Sequence, residues 1–180
     1  MTDAELENLK YPIGKFNKPV SFSASDRAER IGVIERLPAR LSAEMSGLSD
    51  AQCDTPYRPG GWTIRQVVHH LADSHLNSFV RMKLTLTEEN PTIKPYFEDR
   101  WATTPDAAAM AVKPGLDLLS GLHARWTVLL RSLGEKDFQR TFFHPQRQQS
   151  MSLDENLALY AWHCSHHLAH ITGLKKMKGW

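Results

Sequence analysis

The sequence predicts an all-α protein, folded as a four-helix bundle. Three observations predict it. Four long segments carry apolar residues at helical spacing, alternating strand patterns are few, and no internal repeat divides the chain. At 180 residues the length suits one domain, and a chain of this size buries most of its apolar surface. An N-terminal arm over residues 1–24 precedes a single bundle domain over residues 25–180.

The arm reads as irregular because Tyr11-Pro12-Ile13-Gly14 and Lys18-Pro19 break regular structure. Its apolar residues, Tyr11, Ile13, Phe16, Val20 and Phe22, suit a segment packed on the body. The first helix starts near Ser25 and ends at Ser46-Gly47, with Ile31, Ile34, Leu37, Leu41 and Met45 on its buried stripe. Pro38 lies inside it and predicts a kink or two short helices in series. Turn chemistry follows at Thr55-Pro56 and at Arg58-Pro59-Gly60-Gly61. Thr63-Ile64-Arg65-Gln66 is a capping-box pattern, so the second helix starts there and runs to about Leu86. Val67, Leu71, Phe79 and Val80 supply its apolar faces.

A long connection with Pro91 and Pro95 spans residues 87–103. Thr104-Pro105-Asp106 reads as a cap, a proline at the first helical position and an acid in the first turn. The third helix ends at Leu133-Gly134, and Pro114 predicts a bend or a delayed start. A second long connection over 135–151 contains Phe142-Phe143-His144-Pro145. The fourth helix opens on the capping box Ser152-Leu153-Asp154-Glu155 and runs to about Lys178, with lysines in its last turn and Gly179 just past it. Two long connections permit crossovers in place of a plain up-and-down order.

Composition excludes several classes of function. The formal charge is +2 with no long basic run, so no nucleic-acid partner is implied. No apolar run approaches membrane-spanning length, so no membrane is implied either. The N-terminus lacks the apolar core of a signal peptide. The two cysteines, Cys53 and Cys164, form no CxxC and no secreted-type framework, and a reducing cytoplasm fits them.

The nine histidines carry the functional signal. Four of them fall within Trp162-His163-Cys164-Ser165-His166-His167-Leu168-Ala169-His170. On a helix, residues four apart stand on one face, which creates the pairs His163/His167 and His166/His170. The apolar face of Leu153, Leu157, Cys164, Leu168 and Ile171 borders Tyr160, His163 and His167 and favours that pair as metal ligands, with His166 and His170 on the opposite flank. The second helix has a polar face of Gln66, His70, Ser74 and Asn77, so His70 is the natural third ligand. His69 and Asp73 stand one turn apart, which suits a carboxylate orienting an imidazole. His75 lies about a third of a circumference from His70 and falls outside the site on this reading. His123 reads as an isolated core histidine, His144 lies in an aromatic loop, and the five tryptophans read as core or interface.

Three neutral imidazoles leave a divalent metal with an open position, where it acidifies water, polarises a substrate oxygen or holds a thiolate. No HExxH, no Glu-x-x-His pairing, no nucleophile elbow and no phosphate loop compete with this mononuclear reading. Asn77, Tyr160 and His166 are candidate contacts to ligands or substrate.

The stretch from Gly60-Gly61-Trp62-Thr63-Ile64-Arg65-Gln66 through His69-His70-Leu71-Ala72-Asp73-Ser74-His75 resembles the first motif of the YfiT-like group of the DinB superfamily. Tyr160-Ala161-Trp162-His163 through Ile171 resembles the second, and Tyr11-Pro12-Ile13-Gly14-Lys15-Phe16 is similar to the group's opening residues. The resemblance covers nearly the whole chain. It implies a DinB-type bundle, a homodimer, and one zinc or nickel ion on three histidines. In that pattern the first ligand lies eight residues after the motif tryptophan, here His70, and the others form His-x-x-x-His, here His163 and His167. The activity it implies is metal-dependent hydrolysis of a small molecule. The alternatives are metal-dependent S-transfer from a low-molecular-weight thiol such as bacillithiol or glutathione, and a metal-binding module without turnover. The loop Gln146-Arg147-Gln148-Gln149 departs from the group in having no glycine for a tight turn.

Overall fold

The computed structural model describes residues 2–180. In chain order its elements are α1 (Asp3–Lys10), α2 (Ala24–Met45), α3 (Asp50–Cys53), α4 (Ile64–Thr87), α5 (Glu98–Trp101), α6 (Pro105–Ala108), α7 (Val112–Ser132), α8 (Glu135–Phe138), β1 (Thr141–His144), β2 (Gln149–Ser152) and α9 (Leu153–Lys178). The four long helices α2, α4, α7 and α9 form the bundle. Among the described residues, no helix is long and apolar enough to cross a membrane.

The helices start where the chain supplies caps. Thr63 Oγ1 accepts from the Gln66 N–H at 3.1 Å while Gln66 Oε1 accepts from the Thr63 N–H at 2.9 Å. Ser152 and Glu155 exchange the same two bonds at the start of α9, both at 3.2 Å. At the other end of α9, Gly179 adopts φ 70°, the left-handed stop that glycine takes without strain. Pro114 delays the third bundle helix. α6 ends at Ala108, and α7 begins at Val112 with Pro114 in its first turn, where a missing N–H breaks no helical bond. The arm holds a helix that its sequence did not predict: α1 begins on the capping box Thr2/Glu5.

Pro38 does not divide α2 into two helices, because α2 is one helix from Ala24 to Met45 with Pro38 inside it. Proline has no N–H to give to the carbonyl one turn back, here that of Ile34. That oxygen accepts a hydrogen bond from a side chain of another helix instead, as described below.

The packing order is not sequential. α2 packs against α7 and α9, and α4 also packs against α7 and α9. The consecutive pairs α2/α4 and α7/α9 therefore lie across diagonals, joined by residues 46–63 and 133–152, whereas the connection with Pro91 and Pro95 joins the neighbours α4 and α7. The shared core includes Ile34 and Leu41 from α2, Val67 and Leu71 from α4, Leu119 and Trp126 from α7, and Leu157 and Ile171 from α9, all essentially inaccessible. Val80, expected on an apolar face, is half exposed.

The connection over 135–151 is ordered as α8 and a hairpin. β1 and β2 pair antiparallel, with Phe142 opposite Met151 and His144 opposite Gln149. The turn contains no glycine, so Gln148 itself takes φ 52°. Strand alternation puts Phe142 and His144 on the buried face together. Residues 91–93 run along β1 and bond to Phe143. This hairpin, like α1 and the short helices α3, α5 and α8, lies outside the four-helix reading.

One buried ion pair ties the first bundle helix to the last. Arg27 Nε and Nη2 donate to the two carboxylate oxygens of Asp154 at 2.7 and 2.8 Å, with both side chains largely dehydrated. Removing one partner strands the other charge. Asp154→Ala is therefore expected to lower unfolding free energy by about 3 kcal/mol, measured by denaturant titration. Arg27→Met combined with Asp154→Leu should recover most of that loss.

Candidate metal centre

Because α4 and α9 are neighbours, histidines 93 residues apart in sequence meet between them. The ligand-type nitrogens of His70, His163 and His167 all lie within 4.8 Å of one another. His70 Nε2 and His163 Nε2 are 3.2 Å apart. Two nitrogens each about 2.0–2.1 Å from a tetrahedral zinc stand roughly 3.3 Å apart, so this pair fits a shared ion. The indole of Trp62 lies against His70, with ring centroids 4.5 Å apart, and walls one side.

A chain of hydrogen bonds determines which nitrogen of His163 is free. His123 Nδ1 lies 2.6 Å from the carbonyl oxygen of Ile34, and a carbonyl only accepts, so His123 carries its proton on Nδ1. Its Nε2 then accepts from His75 Nδ1 at 2.7 Å. His75 Nε2 accepts in turn from His163 Nδ1 at 3.0 Å. His163 is left with its Nε2 lone pair, on the atom that faces His70. The origin of the chain is the Ile34 carbonyl that Pro38 leaves without a helical donor. A ligand histidine commonly has its second nitrogen held in this way, which sets both tautomer and ring plane.

A second chain acts on His167. His170 Nε2 donates to the carbonyl of Lys10 at 3.1 Å, so its Nδ1 is an acceptor. His167 Nδ1 lies 3.3 Å from that acceptor and donates to it, which leaves Nε2 of His167 with the lone pair. His166, His167 and His170 also cluster closely enough to hold a metal. The same bonds argue against that use, because both nitrogens of His170 are already engaged, Nε2 with the Lys10 carbonyl and Nδ1 with His167.

Electrostatics keep the imidazoles neutral. Burial, then the neighbouring His166 and His170, lowers the pKa of His70 to about 3. His163 and His167 are held well below the ordinary histidine value by burial first and by the surrounding imidazoles second. Burial lowers His123, His166 and His170 to about 4. Neutral imidazole is the form that binds metal.

The remaining predicted residues have distinct places. Tyr160 lies beside the trio, and its hydroxyl donates to the Ser74 carbonyl at 3.1 Å. Asn77 donates to the Asp73 carbonyl one turn back and turns along its own helix. His166 stacks on Trp162 with ring centroids 4.3 Å apart, and its Nδ1 is buried without a partner. His69 turns away from the trio toward the Met110 carbonyl, at 3.4 Å, and not toward Asp73. His75, set aside by its angle on the helix, and His123, read as an isolated core histidine, are the supports of His163. Their spacing carried no signal, since the link runs through α7 to α2.

A cavity of about 530 Å³ opens on His70 and His163 and continues between α4 and α9 past Ser74, Tyr96 and Tyr160. Fold and site together define a helical-bundle protein with an interior histidine trio beside a cavity. Residues 34–171 match the DinB superfamily, and the chain belongs to that superfamily. It is 49% identical over 173 residues to YfiT of Bacillus subtilis, provisionally named a metal-dependent hydrolase, over 96% of this chain and 97% of that one. A protein of Geobacillus thermodenitrificans with the same provisional naming is 50% identical over 175 residues, covering 97% and 98%. The solved structure of Bacillus subtilis YfiT, described as an unusual four-helix bundle topology, superposes with TM-score 0.94 at 48% identity over 96% of this chain and 99% of that one. A mycothiol-dependent maleylpyruvate isomerase superposes with TM-score 0.64 at 18% identity, over 81% of this chain and 60% of that one, and shares the fold alone.

Two outcomes are expected. Nitrogen-resolved NMR of the metal-free protein should show Nδ1–H tautomers for His75, His123, His163 and His167 and an Nε2–H tautomer for His170. A proton on Nε2 of His163 would break the proposed chain of donors. Stability should also fall with acid. The unfolded chain takes up protons on these histidines near 6.5, whereas the folded chain resists protonation down to about 4 for His123, His166 and His170. The unfolded state therefore binds more protons in that window, and the melting temperature of the metal-free protein should drop as pH is lowered from 7 to 5.

Proposed function

We propose that this chain is a metal-dependent hydrolase of small molecules, with one zinc or nickel ion on His70, His163 and His167. The observation that carries the reading is the pair of donor chains from the Ile34 and Lys10 carbonyls, which turn a lone pair of His163 and of His167 outward from their supports. The naming of the close relatives supports the same class. A divalent ion on three neutral imidazoles supplies an open coordination position and a Lewis acid that acidifies water or polarises a substrate oxygen.

The chain's own residues do the rest. Trp62 and the buried rings around the trio exclude bulk solvent on one side. His75 and His123 keep His163 in one tautomer, and His170 does the same for His167. Tyr160 and Ser74 border the cavity where substrate would enter, and their mutual hydrogen bonds fix the position of the Tyr160 hydroxyl.

The test begins with metal content. Protein loaded with zinc or nickel should hold one ion per chain by mass spectrometry. His70→Ala should lose it while keeping its helical circular dichroism. Turnover of an ester and amide panel should then vanish on chelation, return with metal, and proceed without added thiol. Turnover that requires a low-molecular-weight thiol would replace hydrolysis with S-transfer. Tight metal binding with no turnover in either assay would leave a binding module.

A further inference from the structure

The cavity beside the trio has two chemically different ends. One end is formed by His70 and His163, and the other by Arg81, His144 and Arg147. Arg81 follows His70 by eleven residues on α4, which is three turns, within about 20° of the same face and roughly 16 Å along the axis. His144 closes β1, and Arg147 lies in the turn that follows.

The far end is rich in donors, with the Gln146 amide beside them. Arg81 Nε and His144 Nδ1 are buried and have no hydrogen-bond partner, and His144 is only 9% exposed. Arg81 reaches one protein acceptor, the Lys94 carbonyl, through Nη2 at 3.3 Å. Among the described residues, no carboxylate pairs with Arg81 or Arg147. Dehydrated donors left unpaired are costly, whereas an oxyanion satisfies several of them at once. Elsewhere Arg27 holds Asp154 and Arg65 holds Asp54 and Asp50, whereas Arg30 Nη1 and Arg58 Nε are, like Arg81 Nε, buried without a partner. Of these three, Arg81 is the one that shares its cavity wall with a second buried, unpartnered donor-type nitrogen that lies beside a further arginine, His144 Nδ1 beside Arg147.

His144 is suited to the same task. Burial, with Arg147 and Arg81 adding, lowers its pKa, and a neutral imidazole still has one N–H to offer an anion. The carboxylate in the lining, Glu98, also lines the neighbouring cavity beside His166 and His170, which places it at the rim nearer the trio. Between the two ends the wall is mixed, with Tyr96 and Tyr160 beside Phe142, Met151 and Leu159.

We propose that Arg81, His144 and Arg147 form a recognition site for an anionic oxyacid group, a carboxylate or a phosphate, on an extended substrate whose reacting group lies at the histidine trio. The position of the reacting group rests on the reading of the trio as a metal centre. The anion site itself does not.

Calorimetry with three probes tests this: phenylvalerate, phenylpropyl phosphate and the neutral amide of phenylvalerate. Each is titrated into zinc-loaded and metal-stripped protein. The better anion is expected to bind at least about tenfold tighter than the amide, and the ratio of the two anions identifies the group. Arg147→Gln, at an exposed turn position, should reduce the preference, and Arg81→Gln with Arg147→Gln should abolish it while helical circular dichroism is retained. Equal binding of anion and amide would overturn the proposal. So would a preference that survives the double replacement, which would put the anion on the metal or elsewhere. A protein that fails to bind zinc yet keeps an arginine-dependent preference would sink the metal reading and leave the anion site standing.

Discussion

The carbonyl oxygen of Ile34 is the small feature on which the site depends. Pro38 deprives it of the helical N–H it would otherwise accept, and a buried acceptor without a donor is costly. His123 fills that need at 2.6 Å and thereby commits its own tautomer. The commitment passes through His75 to His163, because each neutral imidazole has one donor and one acceptor. A residue that looks like a flaw in α2 therefore orients a side chain on α9, through α7 and α4. The four bundle helices are joined by one line of hydrogen bonds as well as by their apolar core.

The crossed topology makes that line possible. With α2 and α4 on a diagonal, α7 and α9 each touch both of them. α4 can then present His70 to α9 while presenting His75 to α7. The arm completes the arrangement from outside. Its Lys10 carbonyl receives His170, its Gly14 carbonyl receives Trp162 Nε1, and α9 consequently buries polar residues on the flank away from the bundle axis. Tyr11 of the arm lies against His166, Tyr57 stacks on His170, and both histidines are buried.

The cavity takes its character from both kinds of structure. The rigid helices supply the histidine trio, where angular precision matters most. The hairpin supplies His144 and Arg147 at the far end, where they join Arg81 of α4, and Tyr96 from the segment beside the hairpin lines the stretch between.

Much of this was legible in the residues themselves. Apolar spacing and capping boxes located the long helices, because both are local signals: Thr63/Gln66 and Ser152/Glu155 form the bonds their spacing predicts. The His163/His167 pair and His70 could be singled out because helical periodicity is the same in sequence and in space. The hairpin was hidden because its turn has no glycine and Gln148 bears the positive φ. The roles of His75 and His123 were hidden for a deeper reason. A wheel drawn for one helix ranks residues by direction alone, and these two act through partners on other helices. Local sequence determined the elements and the presence of three ligand-type histidines on two of them. Only the tertiary structure decided which helices are neighbours and which buried carbonyls lack donors. Hydrogen-bond satisfaction in a closed interior is settled across the whole fold and not within any one segment.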